Sequence, residues 1–193
     1  RAQSGIPEFD RVSGGLIAGQ AILISGEPGI GKSTLLLQVA NQLSGAKRSV
    51  LYVNGEESNS QIKRRAERLG VNSEQLFLFA DNNLENVLQR IRDQKPGVLF
   101  IDSLQTVFLP RFDSLPGSVV QVRECAYELV QLCKAEEIPL FLVSHITKTG
   151  NIAGPKIVEH ILDTARFSSS DNRSIYRLLR SQKKRFYRTE ERG

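Results

Sequence analysis

Eight residues near the start of the chain, Gly26-Glu27-Pro28-Gly29-Ile30-Gly31-Lys32-Ser33, have the spacing G-x-x-x-x-G-K-[ST]. Glycines in this pattern let the backbone curl until successive N–H groups face anionic oxygens, and a helix opening at the lysine adds its positive end. The pattern assigns Gly26, Glu27, Pro28, Gly29, Ile30, Gly31, Lys32, Ser33 and Thr34 to nucleotide binding. Lys32 would reach the β- and γ-phosphates and the Ser33 hydroxyl would ligate Mg²⁺, so ATP and Mg²⁺ are the expected cofactors.

A phosphate loop alone binds; hydrolysis needs more. The apolar run 98–101 carries Asp102 to its end, where a carboxylate can accept a metal-bound water. A second acid must orient or deprotonate the attacking water. Glu56 and Glu57, after the run 50–53, both qualify, and residue counting does not choose between them. The plainer reading of the pair is that both acids favour the start of the helix that follows. A fourth run, 140–143, leads into Ser144, His145, Thr147 and Lys148. His145 and Lys148 are placed there as sensors of the nucleotide, against the alternative of a hydrogen-bonded structural histidine.

These groups can converge only if the runs that carry them lie side by side. Strands are expected over 21–25, 50–53, 76–80, 98–101 and 140–143, with helices over 33–44, 59–69, 84–94 and 119–135. Alternation of short apolar runs with helical patterns is the signature of βαβ units and a buried, mostly parallel sheet. Ser58 and Gln61 have the spacing of a capping box and start the second helix. Val122, Cys125, Ala126, Leu129 and Cys133 form one apolar stripe on the fourth. Further strands are expected near 161–167 and 174–181.

Composition excludes several classes. With 40% hydrophobic and 24% charged residues over 193 positions, the chain reads as one globular domain. No apolar run is long enough to cross a bilayer, so no membrane role is expected. The two cysteines, Cys125 and Cys133, lie about 12 Å apart along a helix, too far for a disulfide. Reduced thiols fit a cytoplasmic protein. The net charge of +5 is uneven, because residues 178–193 alone carry six bases against two acids. That tail could be a solvated face, a nucleic-acid contact or a cationic reagent aimed at chemistry elsewhere.

The stretches GEPGIGKSTLLLQVA, LYVNGEES, LPGSVVQVREC, SHITKTGNIAGPKIVEH and KKRF, in that order, resemble the bacterial RadA (Sms) recombination ATPases over essentially the whole chain. The resemblance implies an α/β fold of the RecA-like P-loop NTPase class, with a mostly parallel central sheet and helices on both faces. The run 140–143 would lie between 21–25 and 98–101. The resemblance also selects Glu56 as the acid that positions the attacking water. It matches KKRFY (183–187) to the family signature K-N-R-F-G, making Lys183 and Arg185 fingers that reach a neighbouring subunit's γ-phosphate. Here Lys184 replaces the asparagine and Tyr187 the glycine of that signature.

A ring of identical subunits, hexameric in this class, is therefore implied. So are single-stranded or branched DNA and a recombinase as partners, and branch migration in DNA repair as the work done. Arg111, Arg123, Lys148 and Lys156, in or beside the loops 107–118 and 147–156, are the candidate DNA-phosphate contacts. Family members usually add a four-cysteine zinc module and a protease-like domain, and neither occurs in this sequence, so residues 1–193 are expected to be the ATPase core. Two competing readings are a nucleotide-controlled assembly switch, like the clock ATPases related to RecA, and a strand-exchange filament. Stimulation of hydrolysis by DNA would separate the motor from the switch, and rings would exclude the filament.

Overall fold

In a strand, successive side chains face opposite sides of the sheet, so a run that is apolar at every position must be covered twice. A computed structural model describes residues 15–26, 32–45, 47–145 and 166–169 and shows that double cover. Strands β1 (Ala21–Gly26), β2 (Val50–Asn54), β3 (Leu76–Ala80), β4 (Val98–Asp102), β5 (Leu140–His145) and β6 (Arg166–Ser169) form one sheet. Their order is β3-β2-β4-β5-β1-β6, and every pairing is parallel. β5 lies between β1 and β4, the place the resemblance implies.

The helices are α1 (Lys32–Leu43), α2 (Asn59–Arg68), α3 (Leu84–Gln94) and α4 (Val119–Ala135). Ile22, Val50, Tyr52, Phe100, Phe141 and Val143 pack on one face with Leu36, Leu37 and Ala40 of α1 and Ile62 and Ala66 of α2. Their neighbours Leu23, Leu51, Val53, Leu99, Ile101 and Leu142 pack on the other with Leu88 and Ile91 of α3 and Leu129 of α4. Burying each such side chain contributes about 1.5–3 kcal/mol, so the sheet is stabilised from both faces. Phe100 and Phe141 stack with ring centroids 4.5 Å apart, and Tyr52 lies 5.8 Å from Phe100 on the same face.

Ser58 caps α2 as expected: its hydroxyl accepts from Gln61 N at 3.3 Å, and Gln61 Oε1 accepts from Ser58 N at 2.9 Å. The α4 stripe is buried throughout, Cys125 and Cys133 are free thiols, and burial pushes both up to about 12.

Register fixes what stands at the carboxyl edge. Asn54 pairs with Asp102 across β2 and β4, and Gly26 with His145 across β1 and β5. Several element ends differ from expectation by one residue, and two differences bear on the site. His145 is the last residue of β5 rather than the second residue after a strand 140–143, because pairing with β1 continues that far. The strand expected near 161–167 is β6 at Arg166–Ser169, paired in parallel with β1. The expected strand 174–181 lies outside the described residues.

Candidate active site

Four strand ends and one helix start build the site. β1 stops at Gly26 and α1 opens at Lys32, with Ser33 and Thr34 in its first turn. Glu27, Pro28, Gly29, Ile30 and Gly31 lie outside the described residues. Lys32 is 8% exposed, and its ammonium is near enough to act on His145.

The turn after β2 carries the two candidate acids. Asn54 is buried, and its Oδ1 accepts from the backbone N–H of Glu56 at 2.8 Å and of Glu57 at 2.9 Å. This side-chain bridge folds the chain back at the strand end. Gly55 N donates to Asp102 O at 3.1 Å, which docks the turn on β4. A Cβ on Gly55 would collide with the Thr106 hydroxyl and lie 2.8 Å from Thr106 Cβ. Thr106 cannot swing aside freely, because its Oγ1 donates to Ser103 O at 2.8 Å and accepts from Ser103 N at 3.2 Å. Gly55→Ala is accordingly expected to destabilise the fold by about 1–3 kcal/mol and to lift the turn that holds Glu56. Thermal melting with ATPase assays would check this, and an unchanged Tm would refute it.

The same turn separates the two acids. Glu57 Oε1 pairs with Arg65 of α2 at 3.0 Å and accepts from Asn54 Nδ2 at 3.4 Å, so Glu57 is tied to the scaffold. Glu56 is exposed, and its carboxylate is near enough to act on His145.

Asp102 is 4% exposed at the end of β4, and its Oδ2 accepts a 2.6 Å hydrogen bond from the Tyr52 hydroxyl. That hydroxyl also lies 3.4 Å from Ser33 O in the first turn of α1. Burial, and then the Asp102 carboxylate beside it, hold the Tyr52 hydroxyl well above its usual range, so it stays protonated and donates.

His145 is half-buried. Its backbone N–H donates to Gln105 Oε1 at 3.0 Å, and Gln105 Nε2 donates to Ser144 Oγ at 2.7 Å. Burial first, and then the Lys32 ammonium, push the imidazole below its ordinary range, while Asp102 and Glu56 oppose them. The ring is therefore neutral at pH 7. In the unfolded chain the imidazole binds its proton near pH 6.5, before the folded one does. Stability contributed by the neutral ring is complete above about pH 6.5 and is lost as pH falls towards the depressed folded value. His145→Asn should flatten that acid-side decline in Tm relative to the parent chain. Parallel pH profiles would contradict it.

Arg111 pairs with Glu128 of α4 at 2.7 Å and lies over the Phe112 ring at 5.1 Å. Arg123 Nε stands 3.5 Å from Glu124. Both are exposed. Lys148, Lys156, Lys183 and Arg185 lie outside the described residues. Sequence reasoning missed Tyr52, Asn54, Gly55, Gln105 and Gln121. Asn-Gly after an apolar run was a readable turn signal, whereas Tyr52, inside such a run, looked like any other strand residue.

Comparison with known proteins adds the family. A family model described as an AAA domain matches residues 1–151. The chain is similar to the DNA repair protein RadA of Bacillus subtilis (strain 168), 46% identical over 194 residues, covering 100% of this chain and 42% of that protein. It is 48% identical over 192 residues to the DNA repair protein RadA of Aquifex aeolicus (strain VF5), covering 99% of this chain and 43% of that protein. The chain thus spans about two fifths of the length of these relatives. No helix among the described residues is long and apolar enough to cross a membrane.

Proposed function

Given that this chain belongs to the AAA-domain family, as an ATPase core of the bacterial RadA kind, we propose that it hydrolyses ATP to drive movement on single-stranded or branched DNA during recombinational repair. The observation that carries the reading is register. Gly26, Asn54, Asp102 and His145 end four neighbouring strands at one sheet edge, beside the first turn of α1. Open parallel sheets bind their ligands at that edge.

Each residue then has a task. Gly26 to Gly31 surround the phosphates with backbone N–H groups, and Lys32 neutralises the β- and γ-oxygens. Glu56, held towards the site by the Asn54 bridge, orients the attacking water and receives its proton. Glu57 serves the scaffold through Arg65. Neutral His145, with Lys148 beyond it, responds to the presence of the γ-phosphate.

Mg²⁺ fits the oxygens present: a carboxylate with one oxygen engaged by Tyr52, and the hydroxyl of Ser33, the residue after Lys32 in the first turn of α1. Among the described residues no group of three His, Cys, Asp or Glu side chains makes a closed metal cage. Asp102 and Ser33 would therefore share the ion with phosphate oxygens, which is the usual arrangement for Mg²⁺. When bound, the ion would neutralise charge on the β- and γ-phosphates.

Lys183 and Arg185 act across a subunit boundary, in a hexameric ring, on the neighbour's γ-phosphate. Arg111, Arg123, Lys148 and Lys156 meet DNA phosphates, Arg111 by exchanging Glu128 for the nucleic acid. A recombinase partner and a cytoplasmic location belong to the same proposal. The decisive measurement is ATP turnover of the full chain with and without single-stranded DNA, beside its mass in solution. DNA-stimulated turnover by a six-subunit species is expected; turnover indifferent to DNA would overturn the motor.

A further inference from the structure

Tyr52 has no task in that scheme, yet its position is unusual. The run 50–54 is buried at every residue, and a strand position of that kind normally carries a purely apolar side chain. A tyrosine there brings a hydroxyl that must find a partner. The tyrosine is 0% exposed, and its ring packs against Phe100 in the apolar layer beneath α1 and α2. Its hydroxyl leaves that layer only at the sheet edge, 2.6 Å from Asp102 Oδ2 and 3.4 Å from Ser33 O.

We infer that Tyr52 is a positioning residue, which presets the Asp102 carboxylate against the first turn of α1 so that the acid and the Ser33 hydroxyl face the metal ion of the nucleotide together. This rests on the reading of the site given above. Three features carry it. The ring is gripped on the sheet face, so the hydroxyl has a fixed origin. The hydrogen bond occupies Oδ2, which sets the carboxylate rotamer and leaves Oδ1 for the ion or its water. The Tyr52 hydroxyl oxygen also lies 3.4 Å from Ser33 O, so one atom adjoins both metal-side groups. Partners of this kind, one bond removed from a metal ion, orient its ligands, and their loss typically weakens metal affinity 10–100-fold.

The test is Tyr52→Phe in the full chain, which keeps the ring and removes only the hydroxyl. Affinity for a fluorescent ATP analogue is measured twice, with excess magnesium chloride and with EDTA. The ratio of the two reports the metal's contribution, whereas a merely structural defect lowers both values together. Tyr52→Phe should leave the EDTA affinity near that of the parent chain and reduce the magnesium-dependent gain by about 10-fold. The accompanying fall in Tm should be under about 10 °C.

Asp102→Ala closes the cycle. In that background Tyr52→Phe should change the ratio no further, since the group it positions is gone. An unaltered ratio in Tyr52→Phe, or full additivity with Asp102→Ala, would overturn the assignment of Tyr52 alone. A parent chain whose nucleotide affinity ignores magnesium would overturn the reading of the site and this inference with it.

Discussion

Replacing Lys32 with alanine is expected to remove ATP turnover. A single ammonium about 4 Å from a phosphate charge, at the effective dielectric of a protein surface, contributes about 4 kcal/mol. That corresponds to about a 10³-fold loss in rate. Lys32 is 8% exposed, so water replaces little of what the substitution removes. The variant also offers an internal check. The Lys32 charge helps to depress the His145 imidazole, so its removal should let His145 titrate at higher pH. An NMR titration would show that shift in a folded chain, separating loss of chemistry from loss of fold. Turnover at the parent rate would mean that the triphosphate does not rest against Lys32.

Glu56→Gln should keep nucleotide affinity and lose turnover by about 10²–10⁴-fold, the usual contribution of a general base. The amide preserves shape and removes only the ability to take a proton. Glu57→Gln should do the reverse. Its turnover should stay within a few-fold of the parent, while the Arg65 guanidinium, with a side chain only 14% exposed, loses its ionic partner. Leaving a buried donor poorly paired costs about 1–3 kcal/mol, or roughly 2–12 °C in Tm for a chain of this size. Comparing kcat and Tm for the two variants settles the assignment, and the opposite pattern would transfer the water-orienting role to Glu57.

Most of the architecture was legible in the sequence because parallel strands announce themselves. The runs 50–53 and 98–101 are apolar at each position and buried on both faces, whereas 76–80, equally apolar, lies at the sheet edge with Phe77 exposed. What composition could not supply was register. Nothing local says that Asn54 pairs with Asp102, or that Tyr52 and Asp102 therefore share a face two residues apart in depth. Choosing between Glu56 and Glu57 had the same difficulty. The preference depends on Arg65, eight positions further on, and on an asparagine that folds the turn. Such choices are made by tertiary contacts. His145 was placed at the carboxyl edge but two residues beyond its expected strand, because pairing with β1, not local propensity, decides where β5 stops.

The arch between β4 and α4 has its own logic. Gln121, 0% exposed, accepts from Leu109 N at 2.8 Å and donates to Leu109 O at 3.1 Å and Ser114 O at 3.0 Å. One amide thus fastens both ends of the segment 109–114, and Leu115, the residue that follows, is 80% exposed. A visitor to this region meets a segment already ordered by its anchors, so little ordering entropy stands between arrival and grip.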